Sequence, residues 1–238
     1  MNRNRPLPSA NHQIGFKAAQ ALYYAEMQAS RTGTPLTHHV TINWSSLGVD
    51  PHDAVALFAK VRSQRYANWA RRPPKKSLRL PAVPTYAYVF ENTSWEDEHG
   101  ADDAGHNVHV HWAVHVPHGV STFEFEGMLW QWLDDIAKPT GFTRTALMVQ
   151  EITQQGVVRY FIKGAGKGTA THFGKKHQPQ GAIYGTRSGV SRNLGPKARR
   201  QMDTTLGIKR QRYSRQDQVS PKHHGWHIQP PAFARQSR

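Results

Sequence analysis

The chain has 238 residues, no cysteine, 15 histidines and a net charge of +15 with histidine neutral. The lack of cysteine excludes disulfides and thiolate zinc sites and leaves histidine and carboxylate as the metal ligands on offer, a set that favours magnesium or manganese. There is no apolar run of about 18 residues, and the opening MNRNRPLPSANHQ lacks the apolar segment of a secretory signal, so a soluble, cytoplasmic protein is expected, with no membrane contact.

The placement of the charge says more than its size. Residues 1–158 hold 14 Lys/Arg against 14 Asp/Glu, whereas residues 159–238 hold 17 against 2. The whole excess lies in the last third, the pattern of a polyanion-binding chain, and nucleic acid is the leading partner.

Taken in order, residues 1–12 read as a flexible arm. From Ile14 to about Ala29 the chain is Ala-rich with Ala18, Leu22, Ala25 and Ala29 on one stripe, which predicts a helix stopped by Gly33 and Pro35. His39 to Trp44 alternates, with Val40, Ile42 and Trp44 inward and His39, Thr41 and Asn43 on a polar face. Asp50-Pro51 has the form of an N-cap followed by proline in the first turn, and Val55, Phe58, Val61, Arg65 and Trp69 extend that helix to about Ala70. The segment 71–81 is a basic loop.

Thr85 to Phe90 is a second strand running into Glu91, and the acidic segment 92–105 joins it to the next strand as a long-looped antiparallel hairpin. Ser121-Thr-Phe-Glu124 is a capping box that opens a helix with Phe125, Met128, Leu129, Trp132, Leu133 and Ile136 as its apolar stripe. Ala146 to Val149 forms a strand ending at Glu151. Gln154 to Lys163 reads as a helix with Val157, Val158, Phe161 and Ile162 inward and Tyr160, Lys163 and Lys167 on the opposite side.

Gly164 to Thr169 is glycine-rich but lacks the glycine spacing of a nucleotide-binding P-loop, so no triphosphate is expected. Residues 171–195 read as an irregular basic extension suited to lie along single-stranded nucleic acid. Its stacking candidates are Phe173 and Tyr184, and Lys175, Lys176, Arg187 and Arg192, with Lys167 just before it, are the candidate nucleic-acid-binding cations. Residues 196–238 read as a disordered basic tail. The element order argues for an α+β fold with a central antiparallel sheet of about five strands and helices on one face.

The richest stretch is His106 to Pro117. Val108, Val110, Trp112, Val114 and Val116 alternate with His109, His111, Ala113 and His115, so one face of this strand is core and the other is imidazole. Two imidazoles at i and i+2 point the same way, which suits two legs of a divalent metal site. With so many histidines one His-x-His arises by chance, so the pair gains weight from Glu91 upstream and Tyr160-x-x-Lys163 downstream. Glu91 is placed by the hairpin near both rings, and His115 shares their face and competes for the third position.

As a set, the polar-faced strand His39 to Trp44, the strand ending in Glu91, His109-Val-His111 and Tyr160-x-x-Lys163 resemble the motifs of rolling-circle replication initiators in the HUH endonuclease superfamily. The tyrosine follows the histidines, as in that branch and unlike conjugative relaxases. The resemblance covers about residues 36–170 and implies an HUH domain with a ferredoxin-like fold over about 13–170. It further implies that His109, His111 and Glu91 hold Mg2+ or Mn2+, that Tyr160 is the nucleophile on single-stranded origin DNA, and that Lys163 positions metal or phosphate. Without a helicase domain, a host helicase and polymerase become the implied partners, in the cytoplasm of a bacterium. Two rival readings are a non-catalytic single-strand binder and a metal-dependent nuclease that uses water.

Overall fold

Period-two alternation and helix capping determine most of the elements in the computed structural model, which describes residues 9–72, 80–92, 107–139 and 145–208. A short strand β1 (Ala10–Asn11) precedes helix α1 (Phe16–Arg31), which buries Ala19, Leu22, Ala25 and Ala29. Strand β2 (His38–Asn43) alternates buried and half-buried positions as its sequence dictates. Helix α2 (Ala54–Lys60), a π-helical segment at Val61–Tyr66 and helix α3 (Ala67–Arg71) form one unbroken helical stretch. It starts later than Asp50 because that carboxylate accepts the His52 N–H at 2.8 Å inside a turn instead of capping the helix.

Strands β3 (Tyr86–Asn92) and β4 (Val108–Val114) pair antiparallel, as expected of the hairpin. The acidic connection and His106 lie outside the described residues, as does most of the basic loop 71–81. Helix α4 (Thr122–Ala137) starts where the capping box puts it: Ser121 Oγ accepts the Glu124 N–H at 3.1 Å. Its apolar stripe buries Phe125, Leu129, Trp132 and Leu133. Strand β5 (Leu147–Glu151), helix α5 (Val157–Tyr160) with a 3-10 turn at Phe161–Gly164, and helix α6 (Lys167–His172) follow. The chain then forms β6 (Ile183–Tyr184), β7 (Ser188–Val190) and helix α7 (Pro196–Thr205).

The main sheet has five strands in the order β5-β2-β4-β3-β7, every neighbouring pair antiparallel, while β1 and β6 form a separate ribbon. The expected α+β fold and strand number are therefore present. Helices, however, cover both faces instead of one. On the first, Val40, Ile42, Trp44, Phe90, Val110 and Trp112 pack with Phe58 and with Phe125 and Leu129 of α4. On the second, Ala87, Val89 and Ala113 lie under the alanine stripe of α1 together with Val158, Phe161 and Ile162. Alternation reports that a face is apolar or mixed; it does not report which helix closes over the mixed one.

The stretch 171–195 also differs from the reading of an irregular extension. It supplies β7, the fifth strand, which pairs with β3 through Ala87↔Val190 and Val89↔Ser188. Three residues are too few to display a period, so the strand is invisible before its partner is known. Pro196 opens α7 in a stretch expected to be disordered, using its fixed φ in the first turn. Residues 209–238 lie outside the described residues. At the other end, Ala10 and Asn11 of the expected flexible arm belong to the ribbon with β6.

Arg187, expected on a DNA-binding surface, is only 1 % exposed. Its guanidinium donates to the backbone carbonyls of Asn11, Phe90, Gln180 and Gly181, which occupies it fully as an internal tie. Beside it Gly181 has φ +60°, and a Cβ at that position would collide with the carbonyl of Asn92. Among the described residues, no helix is long and apolar enough to cross a membrane.

Candidate metal centre

On the second face of the sheet the strands carry small apolar residues at one end and polar residues at the other. Register produces the polar end: Glu91 lies opposite His109 in the β3–β4 pair, and Thr41 lies opposite His111 in the β2–β4 pair. Glu91 Oε2 is 3.5 Å from His109 Nε2 and 3.5 Å from His111 Nε2. Glu91, His109 and His111 thus form a group able to hold a metal ion. His115, the rival third ligand, lies beyond the strand end, where its Nδ1 sits 2.7 Å from the Pro35 carbonyl.

The ring orientations explain why the group invites a cation. His109 Nδ1 is 3.0 Å from the carbonyl of Asn107, a contact that only an N–H can make, so in the neutral ring the Nε2 lone pair faces Glu91. His111 Nδ1 lies 3.2 Å from Thr41 Oγ1 and 3.2 Å from His39 Nε2, so its ring is held from β2 while its Nε2 turns towards Glu91. Burial and, next, the neighbouring His111 push His39 down to about 4 against the pull of Glu91, so His39 is neutral at pH 7. The two separations between Glu91 Oε2 and an imidazole Nε2, 3.5 Å each, are close to the roughly 3.0–3.4 Å expected of ligands sharing one cation with bonds near 2.1 Å.

Glu91 itself is 2 % exposed. Burial favours its neutral form, yet the contacts of His109 and His111 and the charges of His111 and Lys163 outweigh that and hold the carboxyl well below the usual carboxylate range. Its Oε1 is buried without a hydrogen-bond partner. A buried anionic oxygen left unpaired costs free energy, and a bound cation is the natural way to offset that cost. The donor set therefore fits a divalent ion.

Tyr160 and Lys163 reach the group from the turn after α5. The helix expected over 154–163 is shorter: Gly156, at φ +102°, precedes it and the chain tightens to 3-10 geometry at Phe161. That tightening matters, because residues three apart nearly eclipse in a 3-10 turn. Lys163 Nζ donates to Tyr160 Oη at 2.9 Å and forms an ion pair with Glu91 Oε2 at 3.0 Å. Phenol, ammonium, carboxylate and imidazoles are joined in one chain of contacts, with Tyr160 at the outer end and 53 % exposed.

Several contributors are absent from the candidate set read in the sequence. His39 and Thr41 support His111, and both lay on a face already legible as polar. Glu26 of α1 accepts the Gly156 and Val158 N–H groups, each at 2.7 Å, and so fixes the start of the turn that carries Tyr160. Nothing local marks Glu26, since its partners are 130 and 132 residues away. Of the predicted DNA-binding cations, Lys167, Lys176 and Arg192 are exposed, Lys175 is half-buried and Arg187 is internal.

Fold and site together define an α+β protein whose five-stranded antiparallel sheet carries a buried carboxylate and two histidines able to bind a metal ion. No protein-family model, curated protein or solved structure matches the chain.

Proposed function

We propose that the protein nicks and rejoins single-stranded DNA through Tyr160, as do the rolling-circle replication initiators of the HUH endonuclease superfamily that it resembles. The reading rests above all on one observation: Lys163 Nζ bridges Tyr160 Oη and Glu91 Oε2, at 2.9 Å and 3.0 Å, beside the converging imidazoles. Tyrosine and metal-capable group are far apart in sequence, and a shared task accounts for joining them through a lysine.

In the proposed reaction, Tyr160 Oη attacks the phosphorus of a phosphodiester and the bond from phosphorus to the 3′ oxygen breaks. The products are a 5′-phosphotyrosyl link and a free 3′-hydroxyl. The phenol proton leaves to solvent, which reaches the half-exposed ring, and the departing oxygen takes up a proton. Lys163 holds the phenol oxygen and adds positive charge where the phosphorane develops. Glu91, His109 and His111 are the residues that would hold Mg2+ or Mn2+, and the bound ion supplies Lewis-acid polarisation of a phosphate oxygen. Rejoining reverses the attack and needs no triphosphate.

The natural setting for such chemistry is initiation of rolling-circle replication of a plasmid or phage in a bacterial cytoplasm, with a host helicase and polymerase acting downstream. The decisive test is incubation with a library of single-stranded oligonucleotides and manganese, followed by a denaturing gel and peptide mapping. A covalent adduct at Tyr160, absent in Tyr160→Phe and with chelator, is the expected outcome. Cleavage without adduct would point to a metal-activated water, and binding without cleavage to a non-catalytic clamp.

A further inference from the structure

Next to Tyr160 in sequence, Arg159 leads away from the metal-capable group onto a surface that the proposed reaction does not use. Its guanidinium carbon lies 4.9 Å from the ring centroid of Tyr23 on α1. From Tyr23 the rings continue: Phe173 is 5.1 Å away and tilted by 34°, and Phe16 lies 5.6 Å beyond it. Phe16, Tyr23 and Phe173 are all half-buried, and Tyr23 and Phe173 pack against the core beneath α1.

Cations accompany this strip. Arg159, over Tyr23, is exposed, as is Lys17, next in sequence to Phe16, and Lys175, two residues after Phe173, is half-buried. The nearby carboxylates are otherwise engaged, since Glu26 accepts two backbone N–H groups of the Tyr160 turn and Asp203 pairs with Arg31 at 3.6 Å. What this surface offers outward is aromatic faces among positive charges.

We propose that the Phe16–Tyr23–Phe173 strip is a stacking platform for unpaired bases of the strand entering or leaving Tyr160, with Arg159 steering the backbone from platform to nucleophile. The occupant is single-stranded nucleic acid because the rings favour flat partners and the rim favours anions, a combination that an acidic peptide or a membrane meets only by half. Duplex DNA hides its base faces and gains nothing from the rings. The inference rests on the strand-nicking reading for the identity of the strand, but its binding test is independent of cleavage.

The experiment measures binding of a fluorescein-labelled dT20 by anisotropy at several salt concentrations, using the full chain carrying Tyr160→Phe so that no adduct forms. Tyr23→Leu and Phe173→Leu, in that background, are expected to weaken binding about fivefold or more each, the loss of one base–ring stack. A 20-base-pair duplex should bind all three proteins alike. Arg159→Ala should reduce the slope of log affinity against log salt by about 0.7, one phosphate contact.

Should a leucine variant misfold by circular dichroism, photocrosslinking of an iododeoxyuridine oligonucleotide to the Tyr160→Phe protein replaces it, with crosslinks expected at residues 16–24 or 172–173. Leucine variants that bind dT20 normally, or crosslinks confined elsewhere, would overturn the platform even where the wild-type protein forms its Tyr160 adduct. Weakened binding in the leucine variants would uphold it even if no adduct is ever found.

Discussion

The two ends of one sheet face are made from the same two strands and serve opposite purposes. At one end Ala87, Val89 and Ala113 are fully buried under the alanines of α1, where small side chains let helix and sheet approach closely. At the other, one pleat repeat along, Glu91, His109 and His111 replace them and the cover changes from a long helix to a short turn bearing Lys163 and Tyr160. The apolar end holds the backbone of β3 and β4 rigid, and that rigidity keeps a buried carboxylate and two imidazoles in register at the polar end. A site of this kind needs a well-packed neighbour.

The sharpest way to separate the two ends is Tyr160→Phe, which removes the attacking oxygen: covalent DNA adduct should vanish on a denaturing gel while thermal stability stays unchanged, the ring being 53 % exposed. Next comes Glu91→Gln, expected to weaken Mn2+ binding by about 100-fold or more, as followed by titration calorimetry, because the one anionic ligand is lost. His39→Ala leaves every direct ligand in place and removes a hydrogen-bond partner of His111 Nδ1; a fall of about 10- to 100-fold in metal affinity is expected. A normal affinity in this variant would reduce His39 to packing.

Ala113→Leu probes the opposite end. Overpacking beneath α1 should cost about 1–3 kcal/mol in denaturant unfolding. If the apolar end is the scaffold for the polar one, metal affinity also drops modestly in the folded variant. If metal binding is untouched, the two ends are independent and the comparison fails.

What could be read from the sequence divides along the range of the interactions. The imidazole face of β4, the capping box at Ser121 and the nearness of Glu91 to the histidines each follow from alternation, spacing or a hairpin, all of them local. The roles of His39, Thr41 and Glu26 depend on which strand lies beside β4 and which helix covers it, and no spacing reports that. Arg187 shows the limit of charge counting most plainly: it contributes to the same basic excess as exposed Lys176, yet its guanidinium is enclosed by four carbonyl groups. The Tyr-x-x-Lys spacing was legible, but the 3-10 turn that aligns its two ends was not, since helical and 3-10 periods differ little over a single turn.

The tie made by Arg187 also sets an order of assembly. It links Asn11, Phe90 and Gly181, and its donation to Asn11 spans 176 residues. Along a chain emerging from a ribosome, Glu91, His109, His111, Tyr160 and Lys163 are all present well before Arg187 and β7 arrive to complete the far edge of β3. Such distant contacts are late and slow to close. The nascent protein thus owns its reactive groups for about 1–5 seconds, at about 5–20 residues per second, before it owns the frame that aims them.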